Sequence, residues 1–267
     1  MPFRALAVSC LTLLLLVGCG SEDQSSEEAA PGDTMSSTTI TEPAPTATVP
    51  DTAPAIVTVY FLRDGKMAAA SRGVVVGPEI GRAAMMELLE GPGRPEQAAG
   101  LRTSIPSGTH LEGLSIAKGL AEVELSESLD REASAQVVHT LTQFPTVRMV
   151  SIDHMQPRGR ADLEEFSPSV LVESPTVGEQ VSSPLRITGT ANTFEATFNV
   201  EVVDAQGRVL GKRFVSATSG SGTRGTFDAE VPFKPNVGGP GKLLVFELSA
   251  EDGSRIHEVE IPLQIMP

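Results

Sequence analysis

The sequence predicts an α+β domain followed by an all-β sandwich. Three observations point there. An apolar leader stops at a cysteine and gives way to a polar, proline-rich stretch. Two helix-length apolar stripes are then set among β-branched runs, and the last 100 or so residues are short strands broken by frequent turn signals.

The leader is read first, because a targeting segment does not belong to the fold. Arg4 supplies a small positive start, and Ala5 to Val17 is almost wholly apolar. About 13 residues suit the hydrophobic region of a signal peptide and fall short of the roughly 20-residue helix that crosses a bilayer. The run closes in Leu16-Val17-Gly18-Cys19. These residues resemble the lipobox of bacterial lipoproteins. The resemblance implies that residues 1–18 are removed as a signal peptide and that Cys19 carries the lipid, palmitate included, as the new N-terminus. Cys10, the other cysteine, lies inside the leader, so no disulfide forms within the mature chain and no thiolate metal site or cysteine nucleophile is expected. Stable anchoring takes more than one acyl chain, each buried methylene contributing about 0.8 kcal/mol. The expected location is extracytoplasmic, lipid-anchored to the cell membrane.

Residues 19–54 change to Ser, Thr, Glu, Pro and Ala, with Pro43, Pro45, Pro50 and Pro54. Such a segment buries too little apolar surface to offset its ordering entropy and is read as a disordered tether. The formal charge of −14 becomes more negative by one when Arg4 leaves with the leader, which disfavours nucleic acid as a partner. With no tryptophan and one tyrosine, Tyr60, the chain has few rings on which bases or sugars stack.

The first folded segment is assigned to residues 55–160. Ile56 to Phe61 is a β-branched and aromatic run, Asp64-Gly65 is a hairpin turn, and a second strand ends near Val74-Val75-Val76. A helix follows, with Pro78 near its start, Ala84, Met85, Leu88 and Leu89 on one stripe, and Gly91-Pro92 as its stop. Strands are expected at Leu111 to Ile116 and Leu120 to Leu125. A helix from Ser134 to Phe144 buries Val137, Val138, Leu141 and Phe144 and ends before Pro145, and a last strand covers Val147 to Ile152. The order is β-β-α-β-β-α-β.

Four runs in this segment carry a family likeness: Leu88 to Pro92, Thr103 to Thr109, Ala121 to Ser126, and Thr140 to Pro145. Together they resemble the GerMN domain of sporulation and spore germination over about 100 residues, a length typical of one domain. The resemblance implies an α+β module of the envelope, related in architecture to ring-building domains, with no recognised catalytic residues. It favours a Gram-positive or actinobacterial host.

The second folded segment is assigned to residues 168–267, after the acidic join Asp162-Leu163-Glu164-Glu165. Seven short strands are expected. They lie at Val170 to Val172, Leu185 to Thr190, Phe198 to Val203, Val209 to Val215, Thr226 to Val231, Leu243 to Leu248 and Val259 to Ile265. Ser174-Pro175, Val181 to Leu185, Gly189-Thr190-Ala191 and Ile261-Pro262-Leu263 resemble the immunoglobulin-like domain often found behind GerMN domains. The paired cysteines and core tryptophan of antibody domains are missing, so the likeness is to the wider sandwich class.

Side chains that might carry chemistry are weighed against plain structure. Glu122 and Glu124 sit two apart in a strand, with carboxylates on one face at roughly 7 Å, a spacing paired acids use and a solvated strand face also produces. The alternation of Val123 and Leu125 favours the solvated face. His139 lies opposite the apolar stripe of its helix and is expected to face water. His257 is in phase with Val259 and Ile261, as a packed or edge residue, while His110, Asp153 and His154 sit near turns without metal-ligand spacing. The run Ser219 to Gly222 lacks the lysine of a phosphate loop. No catalytic, cofactor or metal residue is assigned, no cofactor is expected, and Cys19 is the one assigned site.

The function read from the sequence is that of a lipid-anchored extracytoplasmic binding or scaffolding protein of the bacterial envelope, not an enzyme, related to sporulation or germination. The alternative is a cell-wall glycan-binding module or an accessory to an envelope enzyme. The expected partners are the membrane, through the lipid, and an envelope protein or wall glycan. Capture of a partner strand by an exposed sandwich edge is the expected mode.

Overall fold

The computed structural model describes residues 54–75, 77, 79–234 and 238–267, all within one compact unit. Cys19, the leader and the tether up to residue 53 lie outside the described residues. Pro54, counted above with the tether, is the first residue of β1.

β1 (Pro54–Arg63) and β2 (Lys66–Val75) form an antiparallel ribbon. Asp64 and Gly65 at its tip have φ of 52° and 73°, the paired left-handed conformation of a two-residue hairpin turn, which glycine adopts without strain. α1 (Ile80–Glu90) follows, ending at Gly91 as expected, and then α2 (Arg94–Ala98), a short helix that the pattern did not predict. β3 (Leu111–Ala117), β4 (Gly119–Leu125), α3 (Arg131–Leu141) and β5 (Val147–Ile152) complete the first lobe. β3 pairs antiparallel with β4, and β4 pairs parallel with β5. α3 lies one turn earlier than expected. The Asp130 carboxylate accepts from Ala133 N at 2.7 Å and starts the helix, and Thr142 Oγ1 donates back to Val138 O at 2.7 Å and ends it. The acidic join is itself ordered as a 3-10 turn, Arg160–Phe166.

Among the described residues the sandwich holds eight strands, not seven. One sheet orders β11 (Gly225–Val231), β8 (Leu185–Ala191) and β6 (Val170–Ser174). The other orders β10 (Val209–Ser216), β9 (Thr197–Asp204), β12 (Gly239–Leu248), β13 (Arg255–Ile265) and β7 (Gln180–Val181). β7 is the added strand, two residues long and too short to show a periodicity. The fold class read from the sequence therefore holds: an α+β GerMN-like lobe, then an all-β immunoglobulin-like sandwich.

The ribbon explains how the halves join. Near its tip, Val59 to Leu62 and Met67 to Ala70 are all buried, without alternation. Helices α1 and α3 pack on the ribbon and β6 packs against β2, so both faces are covered. Ala69 lies on the ribbon face from which Tyr60 and Ser71 reach Glu173 and Thr176, and its small side chain leaves β6 room to approach. Within β6, Val170 and Val172 belong to the sandwich core, while Leu171 between them belongs to the core of the first lobe.

The free edge of β1 is closed by side chains of α3. Thr140 Oγ1 accepts from Tyr60 N at 3.2 Å, and Gln136 Nε2 donates to Tyr60 O at 3.1 Å. Gln143 accepts from Thr58 N at 2.7 Å and donates to Thr58 O at 2.5 Å. One turn of helix apart, these groups take the place of a third strand.

Candidate functional site

A cleft of about 700 Å³ lies where the ribbon tip meets the sandwich. One wall is the turn Arg63, Asp64 and Lys66, with Ala98 and Ala99 at the end of α2. The opposite wall is Lys242 of β12 and His257, Glu258, Val259, Glu260 and Pro262 of β13, and Ser167 to Ser169 close the side. No phenylalanine or tyrosine lines it. The volume falls in the range of small-ligand clefts, which also favour junctions between domains.

The polar groups of the cleft are partly committed. Arg63 Nη1 donates to Glu260 O at 2.5 Å and Lys66 Nζ donates to Glu165 O at 2.6 Å, so both cations rest on backbone carbonyls. Burial pulls the Arg63 guanidinium below its ordinary pKa, against the attraction of Asp64 and Glu260. Lys242 Nζ pairs with Glu260 Oε2 at 2.5 Å, and His257 Nδ1 meets Glu247 Oε1 at 2.9 Å.

A partly buried polar joint links the two lobes. Arg160 donates to Glu173 Oε1 at 2.7 Å, to the Tyr60 hydroxyl at 3.0 Å, to His139 O at 3.0 Å and to Thr142 Oγ1 at 2.9 Å. The Tyr60 hydroxyl in turn donates to Glu173. Burial pushes the Tyr60 phenol far above its ordinary pKa; Arg160 lowers it and Glu173 raises it further.

His139 corrects the sequence reading: it is fully buried, not water-facing. The reason is the ordered join, which folds over the helix face left polar by the apolar stripe. His139 Nδ1 donates to Ala135 O at 2.9 Å, leaving Nε2 to accept from Ser167 Oγ at 3.2 Å. Burial, then the Arg160 charge, lowers its pKa to about 4.

The other singled-out residues are not brought together. Glu122 and Glu124 stand on the exposed face of β4 while Ala121, Val123 and Leu125 point inward. His154 Nε2 lies 3.6 Å from Glu124 Oε1 in the open, His110 is exposed, and Asp153 Oδ1 accepts from Leu125 N at 2.9 Å as a turn cap. His257 sits exposed at a bulge in β13, with φ of 54°. Ser219 to Gly222 is a loop joining β10 and β11. Among the described residues no group of histidines, cysteines and acids is placed to hold a metal, and no helix is long and apolar enough to cross a membrane.

Arg63, Lys66, Lys242, Glu258 and Glu260 were not found from the sequence. Arg63 and Lys66 flank the legible Asp64-Gly65 turn, but the wall they face is 197 positions away at Glu260. The outer edge of β10 is met where Lys234 N donates to Leu210 O at 3.1 Å, and no residue of β10 lines the cleft. A cleft-facing edge belongs instead to β13.

Residues 58–154 match the family described as sporulation and spore germination, and residues 169–254 match the immunoglobulin-like domain of bacterial spore germination. No curated protein matches the chain. Among solved structures, the tandem GerMN domains of the sporulation protein GerM from Bacillus subtilis align at 21% identity and a TM-score of 0.34, over 40% of this chain and 46% of that one. The chain thus spans less than half the length of that structure. A candidate lipoprotein from Clostridium perfringens aligns at 17% identity and a TM-score of 0.28, over 43% of this chain and 93% of that one. CopC from Methylosinus trichosporium OB3b aligns at 14% identity and a TM-score of 0.24, over 37% and 94%.

Proposed function

We propose that this chain, which carries a sporulation and spore germination domain followed by the immunoglobulin-like domain of bacterial spore germination, is a lipid-anchored binding protein of the cell envelope. In this reading Cys19 holds it to the membrane on the extracytoplasmic side and the cleft between the lobes takes its ligand. One observation carries the reading: a preformed cleft of about 700 Å³ with charged groups on both walls. Binding without catalysis is supported by where the strongest pKa perturbations fall. Tyr60 and His139 are buried in the joint and bonded to their neighbours, away from any surface a substrate reaches. Two of the four runs that carry the family likeness also have structural work: Thr140 and Gln143 close the ribbon edge, and Ser104 N is held by Gln136 at 2.8 Å.

The test places a photo-cross-linking amino acid at position 66 in the tagged lipoprotein in living cells. A recurrent envelope protein captured there, and absent when the probe sits at the exposed Met86, supports the reading. Equal capture from both positions, or none from either, sinks it. Wall glycan fragments captured from position 66 would move the function to glycan binding. Separately, Cys19→Ala is expected to release the protein from the membrane fraction, and retention there would end the anchor proposal.

A further inference from the structure

We propose that the ligand of the cleft is a short extended peptide, zwitterionic in charge, that adds as a strand to the cleft-facing edge of β13. The proposal rests on the cleft being the ligand site, as argued above, and adds the class of ligand and the way it is held.

The backbone of β13 carries the argument. In an antiparallel pair, alternate residues turn their N–H and C=O away from the partner strand. Here the contacts identify that row. Gln264 N donates to Glu179 O at 2.9 Å, Pro262 O accepts from Gly178 N at 2.8 Å, and Glu260 O accepts from Arg63. Between Glu260 and Gln264, beyond the bulge at His257, the even-numbered residues therefore face away from β12. β7 covers this edge only at Gln264 and Ile265. Pro262 has no N–H to leave unpaired. At Glu260 the edge opens into the cleft, and among the described residues no backbone group meets it.

Arg63 stands where the N–H of an added strand would sit. Its guanidinium supplies a donor to Glu260 O from the other lobe, while the Glu260 N–H on the same edge is left facing the cleft. A peptide lying along β13 would take over both groups and free Arg63 for a ligand carboxylate. The charges favour this arrangement. Among the described residues neither Arg63 nor Lys66 forms a salt bridge with a carboxylate, whereas on the facing wall Glu260 pairs with Lys242 and Glu258 with Arg255. A carboxylate suits the first wall, and an ammonium on the second would take the place of Lys242 or Arg255 beside Glu260 or Glu258. The lining offers no phenyl or phenol ring for a sugar to stack on, while Ala98, Ala99, Met67 and Val259 give an apolar floor for small side chains.

The test uses the full chain in detergent and alanine tripeptide with free termini as the probe. The expected result is binding by calorimetry, with slowed hydrogen exchange confined to residues 255–262 and the ribbon tip. Glu260→Pro removes the edge N–H. Proline already occupies the equivalent position 262, so the β12 ladder is kept, and affinity is expected to fall about tenfold, the equivalent of one hydrogen bond. Glu260→Gln keeps the N–H and is expected to retain the exchange protection. Acetylated and amidated tripeptide is expected to bind several-fold more weakly. Unchanged affinity in Glu260→Pro, or binding without protection of 255–262, overturns strand addition and leaves the cleft as a site for something else. Failure of the tripeptide to bind also overturns the proposal, and the cross-links from position 66 decide whether the cleft reading falls with it.

Discussion

Arg160 and Glu173 meet at 2.7 Å across the junction of the two lobes, each with about a quarter of its side chain exposed. The arginine belongs to the ordered join and the glutamate to the first strand of the sandwich, so this contact ties one lobe to the other.

Replacing Arg160 by Met leaves the Glu173 carboxylate and the His139 carbonyl without their donor. Breaking one side of such a pair is expected to lower stability by about 3 kcal/mol, read as a shift in the denaturant midpoint. The double replacement Arg160→Met with Glu173→Met is expected to recover part of that loss, since the isolated carboxylate is then gone. A single-mutant loss below about 1 kcal/mol, the range of exposed pairs, would show that the pair does not hold the junction.

His139 makes stability depend on acid. In the folded chain burial holds it at about 4, against 6.5 for a free imidazole, so between those values the unfolded chain binds more protons. The contribution is complete above pH 6.5 and is lost as pH falls toward 4, about 3 kcal/mol in all. His139→Gln is expected to flatten the stability profile across that window. A slope that persists in the variant would assign the acid sensitivity elsewhere.

Gln136 is fully buried and serves two segments, accepting from Ser104 N at 2.8 Å and donating to Tyr60 O at 3.1 Å. Gln136→Leu keeps the volume and strands both partners. A loss of about 2 to 4 kcal/mol is expected by chemical denaturation, and near-wild-type stability would mean that water replaces the amide.

These residues show what the sequence could reveal. The hairpin at Asp64-Gly65, the stripe of α1 and most sandwich strands were legible because each is written in neighbours a few positions apart. His139 was misread because its burial depends on the join at Arg160–Phe166, which has no apolar periodicity and reads as a charged connector. Gln136, Thr140 and Gln143 look like the polar face of a surface helix, and only the bare edge of β1 opposite them gives them partners. The cleft was invisible for the same reason: its walls are set by the fit of one lobe to the other, a contact between surfaces that no local pattern encodes.

Gly189 tests the family likeness of Gly189-Thr190-Ala191. A methyl group there would sit 2.1 Å from Leu171 O, inside the spacing of β8 and β6. Gly189→Ala is expected to push the strands apart at a cost of about 3 kcal/mol, checked by thermal melting, and a variant that melts like the parent would mean that β6 shifts freely.

The alternating loyalty of β6 has a consequence for inheritance. Leu171 is an apolar plug for one lobe carried on a strand of the other, so neither lobe can be exchanged for a relative's without also matching the surface it plugs. The two segments can be told apart by descent, yet their melting should be shared. A hybrid that joins this first lobe to a foreign sandwich would inherit a gap against the ribbon unless the foreign strand brings a side chain of leucine's size at the same place.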